Sequence, residues 1–185
     1  MTNIQVENQI AEAALNLFYT RGYHDTSLSD IAQSVHMSVA DLKEIFEDKQ
    51  NIAQKVVGLH KKNLLATFET FAENNNPRQS LSQYLDILSE NSEDLIEKGC
   101  PYTALYLDLS RTEGSLKDKA AVLLKIRLDW IEEQFRIMAK VDEANDFANR
   151  LLSAIHGIII LSQATGDEHV LKSQINQLKS WIRLM

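Results

Sequence analysis

Hydroxyl groups and ammonium groups recur in one short stretch near the start of the chain. Thr26, Ser27 and Ser38 can each donate a hydrogen bond from a hydroxyl, and Lys43 and Lys49 carry positive charge. Such donors suit phosphate oxygens, and the free backbone amides at the start of a helix add to them through the helix dipole. The chemistry that these residue types offer is the binding of a phosphate backbone.

Two small apolar residues, Val39 and Ala40, come directly after Ser38. In the first turn of an exposed helix they would face the major groove of DNA, where apolar contact with a thymine methyl is possible. Asp41 and Glu44 belong to the same segment. Each can accept a hydrogen bond from a cytosine amino group, but an acid at such a place more often repels the phosphate backbone.

Two short helices joined by a tight turn are predicted to position these side chains. Ser27 is followed three residues later by Asp30, which is the pattern of a capping box at the start of a helix. Ser38 stands in the same relation to Asp41, and His36 lies in the turn between the two segments. This layout is a helix-turn-helix, whose second helix fits the major groove. It predicts double-stranded DNA as a partner.

The rest of the chain is predicted to be helical as well. With only 6 Gly and 2 Pro in 185 residues, the chain has few positions that break helices. Apolar residues at helical spacing indicate about nine helices and no credible strand. We therefore predict an all-α fold, with a three-helix helix-turn-helix domain over residues 1–48 and a helical ligand-binding and dimerisation domain over residues 49–185.

Composition limits the other classes of function. The formal net charge is −7, so DNA binding must come from local donors and cations rather than from general attraction. No run is apolar and long enough to cross a membrane. The single cysteine, Cys100, excludes an internal disulfide and fits a reducing cytoplasm. No cofactor or metal site is indicated. A glycine-rich phosphate loop, a nucleophile elbow and a His-Glu-x-x-His motif are all missing, which argues against an enzyme.

The segment AALNLFYTRGYHDTSLSDIA resembles the first two helices of the TetR family of bacterial transcriptional regulators. The resemblance continues through the next two helices at positions with the family's spacing, which are Ser38, Leu42, Phe46, Lys49 and Ile52. Further on, KGCPYTALYLDL is similar to the start of a ligand-domain helix in one branch of the family. Two departures stand out. The family commonly has Gly where this chain has His36, and an aromatic and imidazole group where it has Lys43-Glu44-Ile45-Phe46.

The resemblance implies a homodimer whose C-terminal domains hold a small-molecule effector, and a repressor that is released from its operator by that effector. The middle helices, where the family has its pocket, present aromatic and polar-tipped side chains that suit a small, mostly apolar ligand. The candidate ligand-binding residues are Tyr84, Leu88, Cys100, Tyr102, Tyr106, Trp130, Phe135 and His156. Cys100 at a helix start is also conceivable as a thiol sensor, although a buried cysteine is the commoner case.

The last two helices carry more apolar residues than one helix face needs, which indicates a four-helix bundle formed by two protomers. The candidate interface residues are Leu151, Leu152, Ile155, Ile159, Ile175, Leu178, Trp181 and Ile182. An alternative stays open because the predicted recognition helix is acidic. In that alternative the protein has lost DNA binding and acts by binding a protein or a metabolite.

Overall fold

The computed structural model describes residues 3–73, 75–112, 114–138 and 140–185. Over these ranges the chain contains α-helices and no strand, so the predicted all-α class is confirmed. The helices are α1 (Asn3–Arg21), α2 (Leu28–Ser34), α3 (Val39–Ile45), α4 (Lys49–Ala72), α5 (Pro77–Glu90), α6 (Ser92–Lys98), α7 (Pro101–Leu109), α8 (Leu116–Ile137), α9 (Ala144–Thr165) and α10 (Glu168–Leu184).

The described ranges hold ten helices, one more than the sequence pattern indicated. The additional helix is α6, a two-turn element that follows α5 after the single residue Asn91. Its end is marked by Gly99, whose φ of 80° is open mainly to glycine. Because α6 is short and directly follows α5, apolar spacing alone does not separate the two helices.

The caps predicted for the N-terminal helices are present. The Ser27 hydroxyl oxygen accepts from the backbone N–H of Asp30, and the Asp30 carboxylate accepts from the backbone N–H of Ser27 over 2.8 Å. Ser38 accepts from the backbone N–H of Asp41 over 3.1 Å. These side chains satisfy amides that the first turn of a helix leaves free, so both short helices begin where the sequence predicts.

The turn between α2 and α3 depends on His36, whose φ is 55°. This is the left-handed region, which costs a residue with a side chain about 1–2 kcal/mol. The backbone N–H of Met37 returns to the Ala32 carbonyl over 2.9 Å and closes the turn. The geometry explains in physical terms why glycine suits this position.

The chain divides into two compact units. The first consists of Met1–Leu64 with Pro101–Leu123, and the second of Leu65–Cys100 with Leu124–Met185. The boundaries between them fall inside α4 and α8 and just before α7. These packing units are drawn differently from the functional division predicted at residues 48 and 49, because the first unit takes in α7 and the start of α8.

The core of the first unit is apolar and continuous from α1 to α8. Ile10, Ile31, Leu42 and Ile52 are fully buried, one from each of the first four helices. Leu105 and Leu109 on α7, together with the start of α8, extend the same cluster. Burial of each such side chain contributes roughly 1.5–3 kcal/mol. The short helices α2 and α3 are therefore held by tertiary packing rather than by their own length.

The second unit is built from the end of α4, α5, α6, the rest of α8, α9 and α10. In it α10 packs against α5 and α9, and α6 packs against α9. The apolar stripe of α9, from Leu151 to Ile159, is buried within this unit. In the part of the chain that the structure describes, no helix combines the length and apolar character that a membrane span requires.

Candidate nucleic-acid interface and effector site

The first turn of α3 presents small side chains on the surface of the first unit. Val39 is 36% exposed, and Ala40 is exposed beside it. Lys43 follows one turn further along and is exposed as well. Three of the residues predicted to contact DNA therefore share the accessible part of one short helix, which is anchored beneath by buried Leu42.

The serine hydroxyls at the helix starts are engaged within the protein. The hydroxyl of Ser38 donates to the Asp41 carboxylate over 2.7 Å, and that of Ser27 donates to Asp30 in the same way. The bonds from Ser27 are the main cause that lowers the pKa of Asp30 below its ordinary value. Asp30 also lies 3.6 Å from Arg21. Two of the acids near the predicted DNA face thus serve as capping partners.

Thr26 is placed beneath the surface. Its side chain is fully buried, and its hydroxyl donates to the Gly22 carbonyl over 2.8 Å. A direct bond from this hydroxyl to phosphate, as predicted from the sequence, would require the loop to open. In the structure Thr26 instead fixes the loop that connects α1 to α2.

Lys49 is likewise turned toward the protein. Its ammonium donates to the backbone carbonyls of Tyr23 and Thr26, each over 2.8 Å, and lies 4.3 Å from the centre of the Tyr23 ring. Partial burial is the first cause that lowers the pKa of Lys49. Two of its three N–H bonds are used on the α1–α2 loop. Lys49 thereby ties the start of α4 to that loop, and only its remaining N–H is left for a phosphate.

Asp108, at the end of α7, forms contacts that the sequence did not predict. Its carboxylate accepts from the backbone N–H of Tyr23 over 2.8 Å, and its carbonyl lies 3.0 Å from Nε2 of His24. A Cβ atom on Gly22 would come within 3.1 Å of the same carboxylate. The corner that leads into the helix-turn-helix is therefore bonded to α7 within the first unit.

In the second unit, three of the predicted ligand-binding residues, Tyr84, Cys100 and His156, converge on a residue that was not predicted, Arg127. Its side chain is 1% exposed. Its Nε donates to the Tyr84 hydroxyl over 2.7 Å, and Nη1 donates to the Cys100 sulfur over 3.4 Å. Nη1 also lies 3.1 Å from Nε2 of His156. Because a guanidinium only donates, Nε2 is the acceptor in this contact.

Aromatic rings flank this polar cluster. Trp130, one turn after Arg127 on α8, stacks on Phe68 with ring centres 4.3 Å apart and planes 5° from parallel. Phe71 and Tyr84 pack against the same indole at 5.7 and 5.6 Å. Burial is the main cause that raises the pKa of Tyr84, so its phenol stays protonated at neutral pH. The site is an apolar aromatic wall beside a buried cation.

The other predicted ligand-binding residues lie elsewhere. Phe135 packs with Phe147 and Trp181 in a separate aromatic cluster of the second unit. Leu88 is half-buried on α5. Tyr102 and Tyr106 belong to the first unit, where the Tyr102 ring meets His60 edge to face at 5.2 Å.

Six of the eight residues predicted for the dimer interface are buried inside the protomer. They are Leu151, Leu152, Ile155, Ile159, Ile175 and Ile182. A side chain that is already enclosed by its own chain has no apolar surface to give to a partner, so this part of the prediction is corrected. Leu178 and Trp181 are half-buried. The exposed apolar side chains of α9 are Ile160 and Leu161, at 62% and 60%.

Among the described residues, no group of three or more His, Cys, Asp or Glu side chains is arranged to hold a metal ion. The polar cluster around Arg127 contains one imidazole and one thiol, and the guanidinium between them would repel a cation. The contacts described for this cluster are hydrogen bonds.

A helix-turn-helix followed by a larger helical region defines a class, the helix-turn-helix transcriptional regulators. Residues 10–56 match the family model described as "Bacterial regulatory proteins, tetR family". The chain is also 25% identical over 181 residues to an uncharacterized HTH-type transcriptional regulator in the lacX 3′ region of Lactococcus lactis subsp. lactis. That match covers 94% of this chain and 91% of the relative. The match of residues 10–56 with the family model and the similarity to this regulator support the TetR family for this chain.

Solved structures share the whole fold. A TetR family regulator from Agrobacterium tumefaciens matches with a TM-score of 0.84 at 17% identity, over 97% of this chain and 98% of that one. FadR from Bacillus subtilis, solved in complex with stearoyl-CoA, matches with a TM-score of 0.71 at 16% identity, over 95% of this chain and 96% of that one. At these identities the likeness is one of fold.

Proposed function

We propose that the protein is a DNA-binding repressor that acts as a homodimer and leaves its operator when a small molecule binds the second unit. The observation that carries the proposal is the exposed first turn of α3, capped by Ser38 and bearing Val39, Ala40 and Lys43. A short helix with small residues at its start can enter the major groove closely. In functional terms residues 1–48 would read DNA, and residues 49–185 would hold the effector and the dimer contacts.

Only a few side-chain cations of the protein would contribute to its affinity for DNA. Lys43 is the exposed cation of α3, whereas Lys55 forms an ion pair with Glu7 over 2.9 Å and Lys49 is bonded to the α1–α2 loop. With roughly two or three phosphate contacts by side-chain cations per protomer, the dependence of affinity on salt should be shallow. Backbone amides at the starts of α2 and α4 would supply further phosphate contacts without charge.

The test begins with selection of binding sites from random duplex DNA, followed by mobility shifts at low and moderate salt. We expect a near-palindromic site, a shift by the wild type, and loss of the shift in Lys43→Glu. Lys125→Glu is the matched control, because Lys125 is an exposed lysine of α8 that pairs with Asp129 on the surface. A folded dimer that shifts no duplex at low salt would contradict the repressor function.

One observation favours a second function, in which the protein does not bind DNA and acts through a protein or a metabolite. Asp41, Glu44, Glu47 and Asp48 are all exposed around Lys43. Such a surface repels phosphate and would suit a basic partner. The same selection experiment separates the two functions, because a DNA-incompetent protein would enrich no sequence.

For the dimer we propose the outer face of α9 and α10 rather than their buried stripes. Ile160 and Leu161 are exposed on α9, and Leu178 and Trp181 are half-buried on α10. Together they provide an apolar face that a second copy could cover about a two-fold axis. Two reading heads would then address two half-sites of one operator.

For the effector we propose the Arg127 cluster and its aromatic wall, with Tyr84, Cys100, Trp130 and His156 as the predicted residues that it retains. The stearoyl-CoA complex of FadR supports a small-molecule effector for this fold. Occupancy of such a site would have to favour one arrangement of the DNA-binding helices over another, since an effector shifts an equilibrium only by its differential affinity.

A further inference from the structure

We propose that Glu44 of α3 is a specificity-determining residue, which accepts a hydrogen bond from the amino group of a cytosine in each half-site of the operator. The inference rests on the DNA-binding function proposed above and adds to it a base and the residue that reads this base. The sequence allowed two acids, Asp41 and Glu44, to accept from cytosine. The structure leaves only Glu44 available.

Asp41 is occupied at the start of α3. Its carboxylate accepts from the Ser38 hydroxyl over 2.7 Å, and its backbone N–H donates to the oxygen of the same hydroxyl over 3.1 Å. A short helix depends on such a cap, because the amides of its first turn have no partner within the helix. A carboxylate turned toward a base would give up its bond with Ser38. We therefore assign Asp41 to the folding of α3.

The carboxylate of Glu44 is available by comparison. The residue is exposed, and in the part of the chain that the structure describes its side chain takes part in no ion pair or hydrogen bond. A carboxylate that enters the major groove loses water and gains nothing unless a hydrogen-bond donor meets it. The donors that the groove offers are the amino groups of bases. Glu44 would therefore favour sequences that place such an amino group beside it.

Glu44 also lies on the face of α3 that can approach DNA. With about 100° of rotation per residue, four of the exposed residues fall within about 140° of the helix surface. These four residues are Val39, Ala40, Lys43 and Glu44. Asp41 lies about 60° beyond Glu44, toward the side of the helix that carries buried Leu42. A helix docked with Ala40 and Lys43 at the centre of the contact thus brings Glu44 to one edge of it and leaves Asp41 outside.

The major-groove edges of the four bases differ in what they offer a carboxylate. Guanine and thymine present acceptors, and adenine presents its amino donor beside the N7 acceptor. Cytosine presents an amino donor and no acceptor of its own, so it suits a carboxylate best. The hydrogen bond to the charged group is stronger than a neutral one. An acid that weakens binding to DNA in general thereby increases the difference between the right and the wrong sequence.

The test compares the wild type with Glu44→Gln, which removes the charge and keeps the shape of the side chain. Sites are selected from random duplex DNA with each protein. Mobility shifts then measure affinity for four duplexes that differ only at the position where the wild type enriches cytosine. The wild type should prefer cytosine by about tenfold or more. Glu44→Gln should lose this preference, and adenine is the expected replacement because glutamine pairs with its N6 and N7.

Two control variants remove a negative charge elsewhere. Glu47→Gln changes an exposed acid beyond the end of α3, so it should bind all four duplexes more tightly by a similar factor and still prefer cytosine. Asp41→Asn retains an oxygen for Ser38 and should also prefer cytosine. If Glu44→Gln gave the same uniform gain as Glu47→Gln, Glu44 would only repel the phosphate backbone and the proposal would be overturned. A selected half-site without an enriched cytosine would overturn it as well.

The same selection separates this inference from the function on which it rests. A folded wild-type protein that enriches no sequence refutes both the repressor and the recognition of cytosine. A protein that enriches a near-palindromic site, but selects the same bases with and without the Glu44 carboxylate, refutes the inference alone.

Discussion

The carboxylate of Asp108 accepts a hydrogen bond from the backbone N–H of Tyr23 over 2.8 Å, although the two residues are 85 positions apart in the chain. The bond joins the last turn of α7 to the corner from which α2 departs. The ammonium of Lys49 donates a hydrogen bond to the backbone carbonyl of Tyr23. Side chains therefore bond both the N–H and the carbonyl of Tyr23. The orientation of the helix-turn-helix is therefore set by α7 and α4 as well as by its own packing.

We predict that Asp108→Ala destabilises the protein by about 1–3 kcal/mol, because it leaves the part-buried N–H of Tyr23 without its acceptor. The measurement is the free energy of unfolding in urea. Asp129→Ala is the matched control, since Asp129 forms only an exposed ion pair with Lys125, which is worth about 0–1 kcal/mol. Equal losses in the two variants would show that the bond to Tyr23 contributes nothing specific.

The two lysines predicted to bind phosphate, Lys43 and Lys49, should differ in how much their substitution destabilises the protein. Lys49→Met removes two bonds to backbone carbonyls, so we expect a loss of about 1–3 kcal/mol of stability. Lys43→Met removes an exposed charge, so its stability should stay within about 0.5 kcal/mol of the wild type.

Binding to the selected DNA should follow the opposite order once each protein is confirmed to be folded. Lys43→Met should lose affinity more than Lys49→Met, since only the first ammonium is fully available to a phosphate. Thermal melts and mobility shifts on the same preparations check both halves of this prediction. A Lys49→Met protein as stable as the wild type would show that the contacts with the loop carry no weight.

We expect the buried imidazole of His60 to make the folded protein less stable in mild acid. Burial lowers its pKa from 6.5 to about 4, so the folded protein keeps the imidazole neutral. Below pH 6.5 His60 takes up a proton in the unfolded chain but stays neutral in the folded protein. The free energy of unfolding therefore falls until the pH reaches about 4. Between pH 7 and pH 5 this one group should cost the protein about 2 kcal/mol.

The comparison uses His60→Phe, which keeps a ring against Tyr102 but cannot titrate. Its unfolding free energy should change less between the two pH values than that of the wild type, by the amount assigned to His60. His36→Asn, at the exposed turn, should retain the acid sensitivity of the wild type. If His60→Phe lost as much stability in acid as the wild type, the buried imidazole would not be its source.

The sequence predicted well what is local. The caps at Ser27 and Ser38 involve residues three positions apart, so their spacing is visible in the sequence. The contact between Asp108 and Tyr23 and the convergence on Arg127 join residues that are far apart in the chain. The periodicity of apolar residues does not indicate contacts between residues that are far apart in the chain. An arginine at position 127, among the apolar positions of α8, is a signal of a buried polar cluster, but the spacing alone predicts only the helix.

The pattern also could not say which partner covers an apolar face. Leu151, Ile155 and Ile159 form a helical stripe that would look the same whether it met a second protomer or its own chain. In the structure α6 and α10 pack against α9 within the protomer. Exposed apolar surface of α9 is found at Ile160 and Leu161.

A charge on the outer face of α9 should separate the proposed dimer. Ile160→Glu places a carboxylate where a second copy would bury an apolar side chain, and an unpaired charge in an interface costs several kcal/mol. Light scattering should then give the mass of a monomer. Ile137→Glu is the matched control, because Ile137 is 59% exposed on α8, against 62% for Ile160. Monomers with both substitutions, or dimers with both, would place the interface elsewhere.

The turn between α2 and α3 holds a histidine in the left-handed region of the backbone. His36 holds a φ of 55°, so His36→Gly should relieve strain of about 1–2 kcal/mol. Glycine also gains freedom in the unfolded chain, which offsets about 0.5–1 kcal/mol of this. We therefore expect a net gain of about 0–1.5 kcal/mol. Asn75→Gly, at a φ of 51°, should gain less, because asparagine tolerates the left-handed region better than histidine does. Urea unfolding measures both variants, and a His36→Gly protein less stable than the wild type would mean that the imidazole makes a stabilising contribution that outweighs the strain.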